Sequence, residues 1–284
     1  MRLALCEEGV ISLKCGFDHR CAQYCDDWYQ RPGGAHALKL ERALIQRHLE
    51  PLAGERLLDI GSGTGIHLGW FRELGLQVTG LEASPYMLDQ ARSRFRDSVD
   101  LHLGFADHLP FDDNEFDLAT LINTLEFVND PEKVLAEAFR VTRRRVVLGV
   151  LNKYALMAVH RRLKGLLTDN IYRQARFFSV WELKQMVRKI LGPTPVRWGT
   201  AIFFPMTLVR VTRSVEQNSF FQHNPWGSFI VMTVDIRYRF ITSQDHLKAP
   251  LHKKHGQLPQ GSLKVFLPPP AWKENHPPEA ILRP

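Results

Sequence analysis

The chain has 284 residues, 44% apolar and 24% charged. That is enough for a large core, and it excludes disorder, a collagen-like repeat or a disulfide scaffold as a description of the whole. The formal charge of +7 is unevenly divided: residues 1–150 carry 17 Lys and Arg against 23 Asp and Glu, net −6, and residues 151–284 carry 20 against 7, net +13, so a polyanion or anionic surface is to be sought in the second half alone.

Met1–Leu13 has one basic residue, and Glu7 and Glu8 break its apolar stretch. It makes a poor secretory signal, so the cytoplasm is the expected location. Cys6, Cys15, Cys21 and Cys25 lack the paired CxxC spacing of a zinc ribbon. Free thiols on a short helix and no metal site are expected, with Cys15-x3-His19-x-Cys21-x3-Cys25 as the competing soft-metal arrangement.

Residues 1–50 read as an N-terminal helical cap, and residues 51–151 alternate short apolar runs with helical patterns, the signature of βαβ units and a parallel sheet. Strands are expected at Arg56–Ile60, Gln77–Glu82, Val99–Gly104, Glu115–Ile122 and Arg145–Leu151. Helices are expected at Ile66–Leu74, at Pro85–Phe95 behind Ser84 as N-cap, and at Pro131–Val141 behind Asp130. Residues 152–195 then hold two helical patterns, Tyr154–Leu167 and Val180–Ile190, the second opened by a Ser179/Glu182 capping box. Within residues 196–244 two strand-like runs lie near Ala201–Arg210 and Ser228–Arg239. The apolar stretch around Ala201–Val209 contains Pro205 and is about half the roughly 18 to 20 residues of a spanning helix, so no transmembrane segment is expected. Residues 245–284 contain 8 of the 17 prolines and read as a Pro-rich basic tail.

The chemistry concentrates in Leu57-Leu-Asp-Ile-Gly-Ser-Gly-Thr-Gly65, where a strand meets a helix. Gly61, Gly63 and Gly65 permit a tight turn with outward N–H groups and close approach of a ligand. The dinucleotide fingerprint needs a glycine where Ile66 stands, and Asp59 repels a diphosphate but attracts an ammonium. Glu82 ends the second strand, where a carboxylate accepts both hydroxyls of a ribose, and Ala106-Asp107 follows the third, where an adenine amino group is read. Together these groups describe a nucleoside with a cationic amino-acid end.

Leu57–Gly65, Glu82, Phe105-Ala-Asp107 and Thr124-Leu-Glu-Phe-Val-Asn-Asp-Pro131 resemble, in order and spacing, the motifs of class I S-adenosylmethionine-dependent methyltransferases, in the small-molecule branch of the ubiquinone/menaquinone C-methyltransferases. The resemblance covers about residues 17–240 and implies an α/β, Rossmann-like sheet of seven strands with helices on both faces, an antiparallel last strand near Ser228–Arg239 and a helical lid inserted after strand five. It implies S-adenosyl-L-methionine as cofactor, with Asp59 and Gly61, Ser62, Gly63, Thr64 and Gly65 at the methionine end, and Glu82 at the ribose. Ala83, Met87, Ala106 and Asp107 would surround the adenine, and Asn123 would border the sulfonium.

The flanks suggest the acceptor side. Phe17-Asp18 and Cys25-Asp-Asp-Trp-Tyr29 resemble the N-terminal cap of that branch, with Cys25 where the branch often has tyrosine; Trp28 and Tyr29 are candidate substrate walls or ordinary packing. Tyr154, Tyr172 and Arg176 are further substrate candidates. The Tyr154–Leu167 pattern is amphipathic and basic, suited to packing on the sheet, to covering a lipophilic or anionic acceptor, or to peripheral contact with a membrane surface. Transfer from a sulfonium needs a base only if the acceptor must lose a proton, and the pattern singles out none of His19, Glu126, His160 and Tyr172. The expected activity is methyl transfer to a small lipophilic or aromatic acceptor. An RNA or protein methyltransferase is disfavoured by the absence of an added RNA-binding module and by Leu121-Ile-Asn-Thr124 after the fourth strand, where a base-methylating enzyme would carry an Asn-Pro-Pro-Tyr type motif. A non-catalytic binder of the same cofactor is the third reading.

Overall fold

The computed structural model describes residues 19–155, 175–202 and 224–236. The chain divides into a unit of Met1–Tyr238 and one of Arg239–Pro284, and every described residue belongs to the first.

Two helices, α1 (His19–Gln30) and α2 (Pro32–Leu49), precede the alternating region. There follow β1 (Arg56–Ile60), α3 (Leu68–Glu73), β2 (Gln77–Glu82), α4 (Pro85–Phe95), β3 (Asp100–Leu103), β4 (Phe116–Ile122), α5 (Pro131–Val141) and β5 (Thr142–Leu151). Then come α6 (Val180–Leu191), β6 (Val196–Ala201) and β7 (Phe229–Asp235). The strands form one seven-stranded sheet in the order β3-β2-β1-β4-β5-β7-β6. Pairing is parallel from β3 to β5, and β7 runs antiparallel to both β5 and β6. The chain order reverses between β1 and β4, which opens a crevice at the carboxyl ends of those strands, the place where open α/β sheets bind ligands.

Strand alternation divides the core between the two faces. Leu58, Ile60, Ala119, Leu121, Val146, Leu148 and Val150 pack against α5 and α6, whereas Leu57, Leu118 and Val147 pack against α2 and α3. Phe178, fully buried in the first group, would cost about 3–5 kcal/mol if cut to alanine. At the sheet's opposite end Arg144 pairs with Glu55, Arg145 with Glu50 and Asp235, and Arg197 with Glu50. These pairs tie β5, β6 and β7 to the end of α2 and the loop that follows it.

Most element limits follow the sequence reading within a few residues, and the three capping residues act as expected. Ser84 accepts from the Met87 amide and Asp130 from that of Lys133, while Ser179 and Glu182 form the capping box. One strand is added to the expected set and one expectation is corrected. A strand lies at Val196–Ala201, paired along β7 just ahead of the expected Ala201–Arg210 run, of which only Ala201 and Ile202 are among the described residues. Lys153 and Tyr154 form a turn at the end of β5, where the Asn152 side chain accepts the Tyr154 amide at 3.0 Å, so Tyr154 does not start a helix as expected. The rest of that helical pattern, the tail from 245, Cys6, Cys15, His160 and Tyr172 lie outside the described residues, as do the side chains of His19, Cys21 and Cys25.

Candidate functional site

The turn after β1 is sewn to β2 by its own backbone. The Gly61 and Ser62 amides both donate to the Leu81 carbonyl, at 2.7 and 3.0 Å, and the Gly63 amide donates to Glu82 Oε2 at 2.8 Å. Gly61 has φ of +75°, and a Cβ there would lie 2.5 Å from the Thr124 side chain, so conformation and space both require glycine. Thr124 is held in turn by donating to the Ile60 carbonyl at 2.9 Å. At Gly63, φ +57°, a Cβ would meet only the Met87 sulfur at 3.7 Å, so this stretch of the turn is open on the side where Met87 stands.

Two carboxyls lie under the turn. Asp59 is fully buried between its sheet partners and accepts from Thr120 Oγ1 at 2.7 Å; burial, opposed by that bond and aided by the charge of Glu82, pushes its pKa up to about 7. Glu82 accepts the Gly63 and Ser84 amides, one on each oxygen, and burial raises its pKa against those bonds. A cation seated nearby would draw the Asp59 proton away, so the pair suits a ligand with a cationic end.

The remaining expected cofactor contacts gather on the same edge. Met87 is buried, Ala83 half-buried, and Asp107 stands 3.5 Å from the Lys133 ammonium in the loop after β3. Asn123 adopts φ of +52° just past β4, its amide donating to the Gly149 carbonyl at 2.8 Å. Its buried Oδ1 and the buried Ser62 Oγ are without hydrogen-bond partners in the structure. Asn123 stands just past β4, where a polar ligand would meet its oxygen, whereas the Ser62 hydroxyl is packed toward Gly80 of β2. An adenosyl cofactor with an amino-acid tail fits this set: a glycine turn with room beside Met87, two carboxyls beneath it and the unsatisfied Asn123 oxygen past β4.

At the neighbouring end of the edge, Glu126 lies in a one-turn helix after β4. Its Oε1 accepts the Leu151 amide at 2.6 Å, its carbonyl accepts the Arg176 amide at 2.8 Å, and its buried Oε2 has no hydrogen-bond partner. Burial pushes its pKa up to about 8, with a smaller contribution from Glu41. Asn152 grips the carbonyls of Pro225 and Gly227 with its amide, and its backbone forms a parallel bridge with Phe178. Both ends of the 156–174 segment are therefore bound to the ends of β4 and β5 and to the chain entering β7.

Of the acceptor candidates, Trp28 packs on the α2 side of the core and meets Tyr29 edge-on at 4.8 Å. Tyr154 is exposed and lies edge-on to Trp181 at 6.0 Å, and the Arg176 guanidinium covers the Phe178 ring at 5.1 Å. Sequence reasoning left Thr120, the partner of Asp59, unmarked. It also missed His67, buried beside the turn and pushed down to about 3 by burial and the Arg42 charge. Neither carries a local signal, because each acquires its partner from a distant element. Among the described residues no cluster of metal-ligating side chains occurs and no helix is long and apolar enough to cross a membrane.

Residues 58–149 match the family model of a methyltransferase domain. Curated relatives include the demethylmenaquinone methyltransferase of Renibacterium salmoninarum, 39% identical over 102 residues, which are 36% of this chain and 43% of the relative. That of Clavibacter sepedonicus is 36% identical over 37% of this chain and 44% of its own length, so the chain spans less than half of either protein. An uncharacterised protein of Methanocaldococcus jannaschii, MJ1123, is 26% identical over 61% of this chain and 79% of its own. Among solved structures, an S-adenosylmethionine-dependent methyltransferase of Thermotoga maritima superposes with a TM-score of 0.59 at 23% identity, covering 78% of this chain and 99% of that one. A methyltransferase of Haloferax volcanii, solved with the Trm112 activator, gives 0.56 at 18% identity over 76% of this chain and 93% of that one. At such identities the likeness establishes the fold.

Proposed function

From the premise that the chain carries a class I, S-adenosylmethionine-dependent methyltransferase domain, we propose that it transfers the cofactor's methyl group to a small lipophilic or aromatic acceptor. The observation that carries this reading is the glycine turn fastened to Leu81 and Glu82, with Asp59 beneath it and the unsatisfied Asn123 oxygen past β4. The names of the demethylmenaquinone methyltransferase relatives support an acceptor of quinone-like aromatic chemistry.

S-adenosylmethionine supplies a methyl group already activated on a sulfonium sulfur. The turn and Asp59 would hold its amino-acid end, Glu82 its ribose, Ala83, Met87 and Ala106 the faces of its adenine and Asp107 the adenine amino group, with Asn123 near the sulfonium. The protein's contribution to rate is alignment and exclusion of water, worth roughly 7–11 kcal/mol when donor and acceptor are well oriented. Where the acceptor must lose a proton, Glu126, at the ends of β4 and β5, retains its own proton at neutral pH and so is not a base there, and no described group is assigned that role.

The test is incubation of the full chain with labelled S-adenosylmethionine and a short-chain demethylmenaquinone analogue, a catechol or an indole. The expected result is S-adenosylhomocysteine with labelled acceptor. Cofactor binding without product from any aromatic acceptor would leave a non-catalytic binder, and labelling of RNA with steep salt dependence would move the acceptor class to polyanions.

A further inference from the structure

We propose that Asp26, on the N-terminal helix, is a positioning residue for the cofactor, latching α1 across the glycine turn and setting the rate at which the adenosyl ligand leaves. The proposal rests on the S-adenosylmethionine reading above and concerns a residue outside the 58–149 domain.

Three elements meet in this latch. Asp26 Oδ1 accepts from Thr64 Oγ1 at 2.5 Å, and Oδ2 accepts from Arg94 Nη2 of α4 at 2.6 Å. Arg94 closes the ring by donating from Nη1 to the Thr64 carbonyl at 2.9 Å. Thr64 is thus held by side chain and backbone at once. Fixing its carbonyl fixes the plane of the peptide that carries the Gly65 amide, which donates to the Ser62 carbonyl at 3.0 Å. Thr64 and the peptide that follows it are therefore oriented from outside, by a helix whose half-buried Trp28 packs on the α2 side of the core.

The latch is strong enough to order the turn and weak enough to open. Its charge-assisted bonds are among the stronger ones in a protein, yet the side chains stay 15% exposed at Asp26 and 34% at Arg94, so water replaces them when α1 lifts. The neighbouring Asp27 is exposed and serves as a control on the same helix.

The test measures the dissociation rate of S-adenosylhomocysteine from the full chain by displacement in stopped flow, with hydrogen exchange of residues 19–30 and 61–65 in the ligand-free protein. Asp26→Ala should speed dissociation about tenfold and raise exchange in both segments together. Asp26→Asn, which keeps an acceptor for Thr64 but loses the ion pair, should fall between, and Asp27→Ala should match the parent protein. An Asp26→Ala rate equal to that of the parent overturns the proposal, whatever exchange shows. Failure of the parent protein to bind S-adenosylhomocysteine would overturn the cofactor reading and the latch with it, and the exchange data would then report a purely structural tie between α1 and the turn.

Discussion

At the β1–β2 end of the sheet's ligand-facing edge, the groups that shape the glycine turn come mainly from residues 59–84, whereas at the β5–β7 end they come from Glu126, Leu151–Tyr154, Arg176–Phe178 and the 224–228 turn. The first is a structure in which a strand, its turn and the next strand supply one another's backbone partners, with Asp26, Arg94, Thr120 and Thr124 reaching it from outside. The second is assembled from four distant stretches, each of which is satisfied only when the others arrive. The difference teaches that the cofactor end can be carried between proteins as a short motif, while the acceptor end belongs to this chain's particular tertiary contacts.

The comparison is broken most severely at Gly61. Gly61→Ala forces a Cβ into the Thr124 side chain at a positive φ, which should cost about 1–3 kcal/mol of stability and most of the S-adenosylmethionine affinity, read by thermal unfolding and calorimetry. Glu126→Ala attacks the other end. It should cost about 2–4 kcal/mol by leaving the Leu151 amide without its acceptor and opening a cavity, while cofactor affinity at a temperature where the variant is folded stays within about threefold of the parent.

Glu126→Gln sharpens the contrast through pH. The folded-state pKa of Glu126 is raised to about 8, so its native proton stabilises the fold fully below the unfolded carboxylate range near 4.5, and that contribution is lost as pH rises through 8. The Gln variant has no such loss. Its melting temperature should gain on the parent steadily from pH 5 to pH 9, and a constant offset would show that Glu126 does not titrate in this window. The smallest effect belongs to Asp59. With a pKa near 7, it should release a fraction of a proton when the cationic cofactor binds at pH 6.5, detected as a binding enthalpy that varies with the ionisation enthalpy of the buffer and loses most of that variation in Asp59→Asn.

What the sequence made legible follows the same division. The caps at Ser84, Asp130 and Ser179 are short-range patterns that the fold places as read, and the glycine turn forms where expected, but its Gly61, Ser62, Gly63 and Gly65 amides donate to Leu81, Glu82 and Ser62 instead of pointing outward. Asp26, Thr120 and Glu126 acquire their roles from partners 38, 61 and 25 residues away, and nothing beside them in the chain marks those partners. The strand at Val196–Ala201 carries no such local mark, because it is defined by its pairing along β7.

The charge asymmetry also changes meaning. Only six of the 20 basic residues in 151–284 fall among those described, and Lys153, Lys189 and Arg197 of these are paired with Glu182, Glu132 and Glu50. Among the described residues, half of the second half's basic side chains are tied to acidic partners within the fold.

The central claim is that the turn after β1, fastened by Glu82, is the seat of an adenosyl cofactor. Calorimetric titration of S-adenosylhomocysteine into the parent protein and into Glu82→Ala tests it most directly. Saturable one-to-one binding by the parent, weakened at least about tenfold in the variant, is the predicted result. No binding by the parent, or equal affinity in the two proteins, would contradict the account.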